Sequence, residues 1–114
     1  MKLNEYQDIS QRTMPIIGDV TDEGEVGSVR ANYALGAAGE AGEVAELVKK
    51  EVFHGHYTTV DEMKKELGDV LHYLSGLATL YGLRLEDVAK RNIDKLQKRY
   101  PGGFSEEASR ERVE

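Results

Sequence analysis

Cysteine and tryptophan are absent from the sequence, and proline occurs only twice in 114 residues. The lack of cysteine excludes disulfides, a thiolate nucleophile and cysteine-ligated zinc or iron–sulfur sites. No stretch is apolar for the length of a membrane span, so we expect no membrane partner. Together these absences predict a soluble protein of the cytoplasm.

Positive charge is also scarce, since 15 lysines and arginines face 21 aspartates and glutamates and leave a formal net charge of −6. An acidic protein is repelled by the backbone of a polyanion, so a nucleic acid polymer is not an expected partner. A phosphorylated small molecule could still bind if divalent cations lay between its phosphates and the protein's carboxylates.

Apolar residues make up 39% of the chain, somewhat less than in a typical globular protein, whereas charged residues reach 32%. A chain of 114 residues has room for one domain with a core of its own. We assign residues 1–104 to that domain and residues 105–114 to a charged C-terminal tail. The low apolar share suggests that the domain also buries surface against a copy of itself.

The spacing of apolar residues predicts an all-α fold with about four helices. Thr59 and Glu62 form a capping-box pattern at the start of the third helix, and Gly82 follows its end. Residues 15–28 are rich in glycine and acids without periodicity, which predicts a long loop, either an ordinary connection or a lid over a site. The helices are predicted at residues 3–14, 29–52, 59–81 and 85–100.

Two pairs of acidic residues lie within the predicted second and third helices. Glu40 and Glu43 are three residues apart on the second helix, and Glu66 and Asp69 are three apart on the third. At about 100° per residue, residues three apart lie one turn apart on a shared face of a helix. If the short connection at residues 55–58 makes the two helices antiparallel, the pairs meet in a cluster of four carboxylates, which suits Mg²⁺ or Mn²⁺.

The alternative is that these acids are ordinary solvated residues that form salt bridges along each helix. Their local sequence argues against it, because Glu40, Glu43 and Glu66 have no basic residue three or four positions away. Asp69 has Lys65 four residues earlier, which is the weaker orientation for a helix pair. Glu46, by contrast, has Lys49 and Lys50 within reach and is typical of a surface residue. Crowded acids without bases are unfavourable unless they are protonated or bind a cation.

Glycine recurs at intervals of three inside the second helix, at Gly36, Gly39 and Gly42. No strand precedes these glycines, so they do not form the phosphate loop of a dinucleotide-binding fold. Glycine in a helix interior costs about 1 kcal/mol relative to alanine, and we therefore expect these positions to permit the close approach of another helix.

Three segments of the sequence carry a resemblance to a known family. They are Gly36-Ala-Ala-Gly-Glu40-Ala-Gly-Glu43-Val-Ala-Glu46, Glu66-Leu-Gly-Asp69-Val-Leu-His-Tyr73-Leu and Asn92-Ile-Asp-Lys95-Leu-Gln-Lys-Arg99-Tyr-Pro101. In this order they resemble the MazG-like all-α nucleoside triphosphate pyrophosphohydrolases. The resemblance extends from Leu3 to about Phe104.

The resemblance implies a helical bundle that forms a homodimer or homotetramer and binds Mg²⁺, or Mn²⁺ in its place, through Glu40, Glu43, Glu66 and Asp69. It also implies cleavage of a nucleoside triphosphate between its α- and β-phosphates, which gives a monophosphate and pyrophosphate. Many relatives carry a further acid before the first glutamate that could serve as the general base, but this sequence has Gly39 there. The base is then Glu43, or the metal alone activates the water.

The same resemblance points to four residues as substrate contacts. Lys95 and Arg99 lie four apart on the last helix and could reach phosphates, while Asn92 and Tyr73 match positions that contact the sugar or the base. The alternative for the two basic residues is a solvated face at the end of the helix, where the helix dipole favours positive charge.

These features together predict a Mg²⁺-dependent enzyme that hydrolyses nucleoside triphosphates, chiefly dNTPs, in sanitation of the nucleotide pool. A phosphoribosyl-ATP pyrophosphohydrolase, which would share the fold and the chemistry, is an alternative. A third hypothesis is a catalytically silent helical module that binds metal or dimerises.

Overall fold

The computed structural model describes residues 1–14 and 23–112. These residues form helices and no strand, so the predicted all-α fold is confirmed. None of the helices described is both long enough and apolar enough to cross a membrane. The elements are α1 (Leu3–Ser10), a 3₁₀ turn (Gln11–Thr13), α2 (Glu23–Phe53), α3 (Val60–Leu80), α4 (Leu85–Arg99) and α5 (Glu106–Glu111).

Helix α2 begins earlier than the sequence predicted. Residues 23–28, predicted to be part of a loop, form its first turns, where Glu23 and Glu25 place negative charge at the positive end of the helix dipole. The rest of the predicted loop, residues 15–22, lies outside the described residues, and so does any role of that segment as a lid. Within the predicted tail, residues 106–111 form α5.

Both ends of α3 lie where the sequence placed them. The Thr59 hydroxyl accepts a hydrogen bond from the Glu62 N–H at 3.1 Å, and the Glu62 carboxylate accepts one from the Thr59 N–H at 2.8 Å, so the predicted capping box is confirmed. After the helix, Gly82 adopts a φ of +69°, a left-handed conformation that favours glycine and ends helices.

Helix α1 is attached to the turn between α3 and α4 through Gln7, whose side chain is only 1% exposed. Its Nε2 donates to the Thr79 hydroxyl at 2.9 Å and to the Leu83 carbonyl at 2.8 Å. Its Oε1 accepts from the Leu85 N–H at 2.7 Å. Because the first N–H groups of a helix have no partner within the helix, this last bond caps α4 from outside.

A second residue of α1 completes this capping. The Asn4 Oδ1 accepts from the Glu86 N–H at 3.0 Å, and the Asn4 carbonyl accepts from Arg84 at 3.2 Å. Arg84 also forms an ion pair with Asp8 at 3.0 Å. Helix α1 therefore fixes the direction in which α4 leaves the turn.

The apolar core of the described chain is small, with Tyr33, Ala78 and Leu85 as its buried members. Helices α2 and α3 form a long antiparallel hairpin, and α4 packs on α1 and α3 without touching α2. The radius of gyration is 17.4 Å, compared with about 13 Å expected for a compact domain of this length. A single chain thus leaves much of its apolar surface in water.

Candidate metal centre

Helices α2 and α3 meet through two reciprocal contacts between tyrosine and glycine. The ring of Tyr73 on α3 covers Gly36 on α2, and the ring of Tyr33 on α2 covers Gly76 on α3. Each helix therefore carries the pattern Tyr-x-x-Gly, and since the helices are antiparallel, each tyrosine faces the other helix's glycine. These two contacts fix the register of the hairpin.

The same register brings predicted acids of the two helices together. Glu40 comes one turn after Gly36, and Asp69 one turn before Tyr73, so the two acids lie at the same level of the hairpin. Glu40, Glu66 and Asp69 each offer a carboxylate oxygen, and these three oxygens lie within 4.8 Å of one another. We call these three residues the acidic cluster.

Glu43, the fourth predicted ligand, is exposed and lies one turn beyond Glu40, outside this set of three oxygens. Its charge still acts on the cluster. The pKa of Glu40 is raised, most strongly by burial of its carboxyl group and then by the negative charges of Asp69, Glu66 and Glu43. The ionised form of Glu40 is therefore disfavoured in the folded chain unless a cation is close.

No base of the described chain forms an ion pair with these four acids. Lys65, the possible partner of Asp69, pairs with Asp61 instead, at 3.3 Å. Glu46 pairs with two lysines of its own helix at 3.4 and 3.7 Å, which agrees with its interpretation as a surface residue. The negative charge of the acidic cluster is thus not balanced by an ion pair within the described chain. The charge of Glu46, further along α2, is balanced by two lysines.

Oxygen donors that converge without a base are what hard divalent cations such as Mg²⁺ and Mn²⁺ prefer. Glu40 and Glu66 are half-buried, whereas Asp69 is exposed, so the acidic cluster opens onto the surface of the hairpin. A phosphorylated ligand can approach it from solvent, and a cation there could bridge the carboxylates to phosphate oxygens.

Tyr73, predicted to contact the substrate, belongs to a block of aromatic rings beside the acidic cluster. Its ring centroid lies 5.4 Å from that of Tyr33 and 5.3 Å from that of His72, both in edge-to-face geometry. His72 in turn shares a hydrogen bond of 2.7 Å with the Ser10 hydroxyl of α1. Tyr33 is 3% exposed, and burial followed by the neighbouring Tyr73 raises its pKa.

The other predicted substrate residues, Asn92, Lys95 and Arg99, lie on α4. In the part of the chain described, α4 contacts α3, which carries Glu66 and Asp69, but not α2, which carries Glu40. Arg99 and Lys98 line a separate groove of about 360 Å³, closed by residues 101–105 and by α5.

Sequence reasoning passed over Tyr33, His72 and Gly76, although the Tyr-x-x-Gly pattern repeated on both helices could have revealed the pairing of Tyr33 with Gly76. The predicted close approach of a helix is confirmed at Gly36. At Gly39 and Gly42, an added Cβ atom would meet no atom within 4 Å apart from the nearby backbone of its own helix, so close approach of a helix does not explain these two glycines within the described chain.

A comparison with protein families finds one match over much of the hairpin and α4. Residues 30–104, more than half of the chain, match the family model described as the MazG nucleotide pyrophosphohydrolase domain. The matched range includes the acidic cluster, Glu43 and the four predicted substrate residues. Searches of curated proteins and of solved structures found no match.

Proposed function

We propose that this chain, which belongs to the family of MazG nucleotide pyrophosphohydrolase domains, hydrolyses nucleoside triphosphates, chiefly dNTPs. Family membership confirms the resemblance predicted from the sequence and makes the protein an enzyme, a hydrolase that acts on phosphoric anhydrides. In the proposed reaction, water adds its oxygen to a phosphorus of the α–β anhydride and the bridging P–O bond breaks. The products are a nucleoside monophosphate and pyrophosphate.

The observation that carries the proposal is the uncompensated acidic cluster. Glu40, Glu66 and Asp69 bring three carboxylate oxygens within 4.8 Å of one another, which fits a divalent cation, and we propose Mg²⁺ with Glu43 as a further ligand. When bound, Mg²⁺ would offset the charge of the triphosphate and make the attacking water more acidic. The raised pKa of Glu40 supports this assignment, because a cation relieves the repulsion that raises it.

Glu43 is also our proposed general base. It is exposed and stands outside the set of three oxygens, one turn along α2 from Glu40. If Glu40, Glu66 and Asp69 alone held the cation, the Glu43 carboxylate would be accessible to accept a proton from the attacking water. Gly39, at the position where many relatives have an acid, cannot take this part.

We further propose that the active form is a homodimer or a larger homo-oligomer. A stripe of apolar side chains at seven-residue intervals runs along α3 to Tyr81, the residue that follows the helix, and each of its members is 47–71% exposed. Such spacing is typical of helices that pack side by side in bundles. The stripe consists of Val60, Leu67, Leu74 and Tyr81.

A second copy would also bring the predicted substrate residues of α4 to an acidic cluster. Asn92, Lys95 and Arg99 lie on α4, which does not contact α2 in the part of the chain described, and the acidic cluster opens to solvent. If two hairpins pack through the α3 stripe into a four-helix bundle, α4 of one copy can approach the acids of the other. This arrangement would close the site over the triphosphate.

The direct test is release of pyrophosphate from a panel of natural and modified dNTPs, NTPs and phosphoribosyl-ATP, with Mg²⁺ or Mn²⁺. We expect turnover of at least one dNTP, strongly reduced in Glu43→Ala and retained in Glu46→Ala, whose carboxylate pairs with lysines. Preference for a modified dNTP would support a role in nucleotide-pool sanitation. Turnover of phosphoribosyl-ATP alone, or a Glu43→Ala variant as active as the parent, would defeat the proposal.

A further inference from the structure

Gly36 is required by a contact that the other glycines of the predicted motif do not make. A Cβ atom added to Gly36 would lie 2.8 Å from Cζ of the Tyr73 ring and closer still to Cδ1 and Cε1. Carbon atoms in favourable contact are about 3.5–4.0 Å apart, so any side chain at this position displaces the ring. At Gly39, by contrast, an added Cβ meets nothing within 4 Å.

The ring that Gly36 accommodates borders the acidic cluster. Tyr73 follows Asp69 by four residues, and Gly36 precedes Glu40 by four, a distance of about 6 Å along each helix. Helical side chains lean toward the N-terminus, so the Tyr73 ring leans toward Asp69 while the Glu40 side chain leans back toward Gly36. Unlike Tyr33, which is 3% exposed, Tyr73 is only half-buried and can touch a ligand.

The two ends of the acidic cluster differ in chemistry. Along α2, Glu43 continues the row of carboxylates on one side, which suits cation-bound phosphates. On the other side stands the Tyr73 ring, which offers an apolar wall with a phenol group and suits a sugar or a base. The surface of the hairpin around the acidic cluster is therefore polar on one side and aromatic on the other.

We infer that Gly36 is a positioning residue: by leaving room for the Tyr73 ring, it fixes the wall against which the nucleoside lies, with the pyrophosphate half directed toward Glu43. This inference rests on the proposed function, since it concerns how that site orients its nucleotide. It assigns Gly36 a part in substrate recognition, although the residue has no side chain to touch the substrate.

The Tyr73 ring is held from several sides, so it cannot move aside without cost. Tyr33 and His72 contact it edge to face, and His72 is hydrogen-bonded to Ser10 of α1. A Cβ at Gly36 would therefore shift a ring that is packed on its other faces. The shift changes the shape of the surface that the nucleoside would contact, while the carboxylates, one turn away along each helix, keep their positions.

The experiment compares Gly36→Ala with Gly39→Ala, the same change on the same helix where space is open. For the dNTP that the parent hydrolyses fastest, we expect Gly36→Ala to raise KM about tenfold or more, since small misplacements in a site carry large kinetic effects. Its kcat should change less, and its affinity for Mn²⁺ should stay within about twofold. Gly39→Ala should keep the parental KM.

A double-mutant cycle with Tyr73→Leu keeps the test decisive if Gly36→Ala alone folds poorly. Once the ring is gone, adding the methyl group of Gly36→Ala should leave KM unchanged relative to Tyr73→Leu, so the two changes should be strongly non-additive. A parental KM in folded Gly36→Ala, or additive effects in the cycle, would overturn the inference. Absence of pyrophosphate release or Mn²⁺ binding in the parent protein would instead count against the proposed function.

Discussion

Two polar regions of this fold differ in whether their polar groups have hydrogen-bond or ion-pair partners within the described chain. Where α1 meets the α3–α4 turn, the buried Gln7 uses both ends of its amide in three hydrogen bonds. Where α2 meets α3, Glu40 is half-buried with other acids around it and has no basic partner among residues 1–14 and 23–112. A satisfied buried group stabilises the fold. A group that stays uncompensated is a candidate for ligand binding.

The largest expected effect follows from neutralising the uncompensated region. Glu40→Gln or Glu66→Gln should lower kcat/KM by about a thousandfold or more, because charge stabilisation by a bound cation is worth several kcal/mol. Neither change should reduce the stability of the cation-free protein, since each removes repulsion. Pyrophosphate-release kinetics and urea unfolding in EDTA measure the two effects, with Glu46→Gln as the matched control. If either variant kept activity within tenfold of the parent, the claim that these uncompensated acids are needed for catalysis would be wrong.

The satisfied region should respond in the opposite way. Gln7→Met keeps the volume of the side chain but leaves the Leu85 N–H and the Leu83 carbonyl without their partner, so the free energy of unfolding should fall by about 2–3 kcal/mol. Mn²⁺ affinity should not change in the folded protein. Gln97→Met, on the exposed part of α4, serves as the control. Equal stability of the two variants would show that the Gln7 contacts do not hold α1 in place.

Removal of an exposed polar group that is hydrogen-bonded should have a smaller effect on stability than removal of the buried Gln7. Thr59→Ala removes the cap of α3 and should lower the free energy of unfolding by about 1 kcal/mol, the usual value for a lost N-cap. Thermal or urea unfolding measures it, and Thr58→Ala, beside it in the chain, is the comparison. If Thr59→Ala lost as much stability as Gln7→Met, the difference in solvent exposure would not explain how much each polar group contributes.

The smallest expected effect is a dependence of stability on pH. Because the pKa of Glu40 is raised in the folded chain, the folded state binds more protons than the unfolded state from the ordinary glutamate value of about 4.3 upward. In EDTA, this group's contribution should therefore reduce stability as pH rises through that window. The difference between parent and Glu40→Gln isolates it. A difference that grows in favour of the parent with rising pH would contradict the sign.

The parts of the fold set by neighbours in sequence were the parts that could be predicted. Thr59 and Glu62 cap a helix within four residues, and Gly82 ends it through its own backbone freedom. The acids of α2 and α3 were also visible, because helical spacing places each pair on one face. Family membership was recognisable from the same segments.

What escaped prediction depends on residues far apart in the chain. The bonds of Gln7 reach 72 to 78 residues ahead, and nothing in the sequence around it distinguishes it from a surface glutamine. The start of α2 was missed because Gly24 and Gly27 resemble loop residues, although acids at the first turn favour a helix there. The distance of α4 from α2 follows from the capping by α1, which sequence spacing does not express.

Titration of the cation-free protein with Mn²⁺ at neutral pH, followed by electron paramagnetic resonance, tests the central claim most directly. The claim is that Glu40, Glu66 and Asp69 form a cation site because the chain leaves them uncompensated. We predict binding by the parent and by Glu46→Gln, and loss of binding in Glu40→Gln. A parent protein that leaves Mn²⁺ free in solution, or three proteins that bind it equally, would contradict the account.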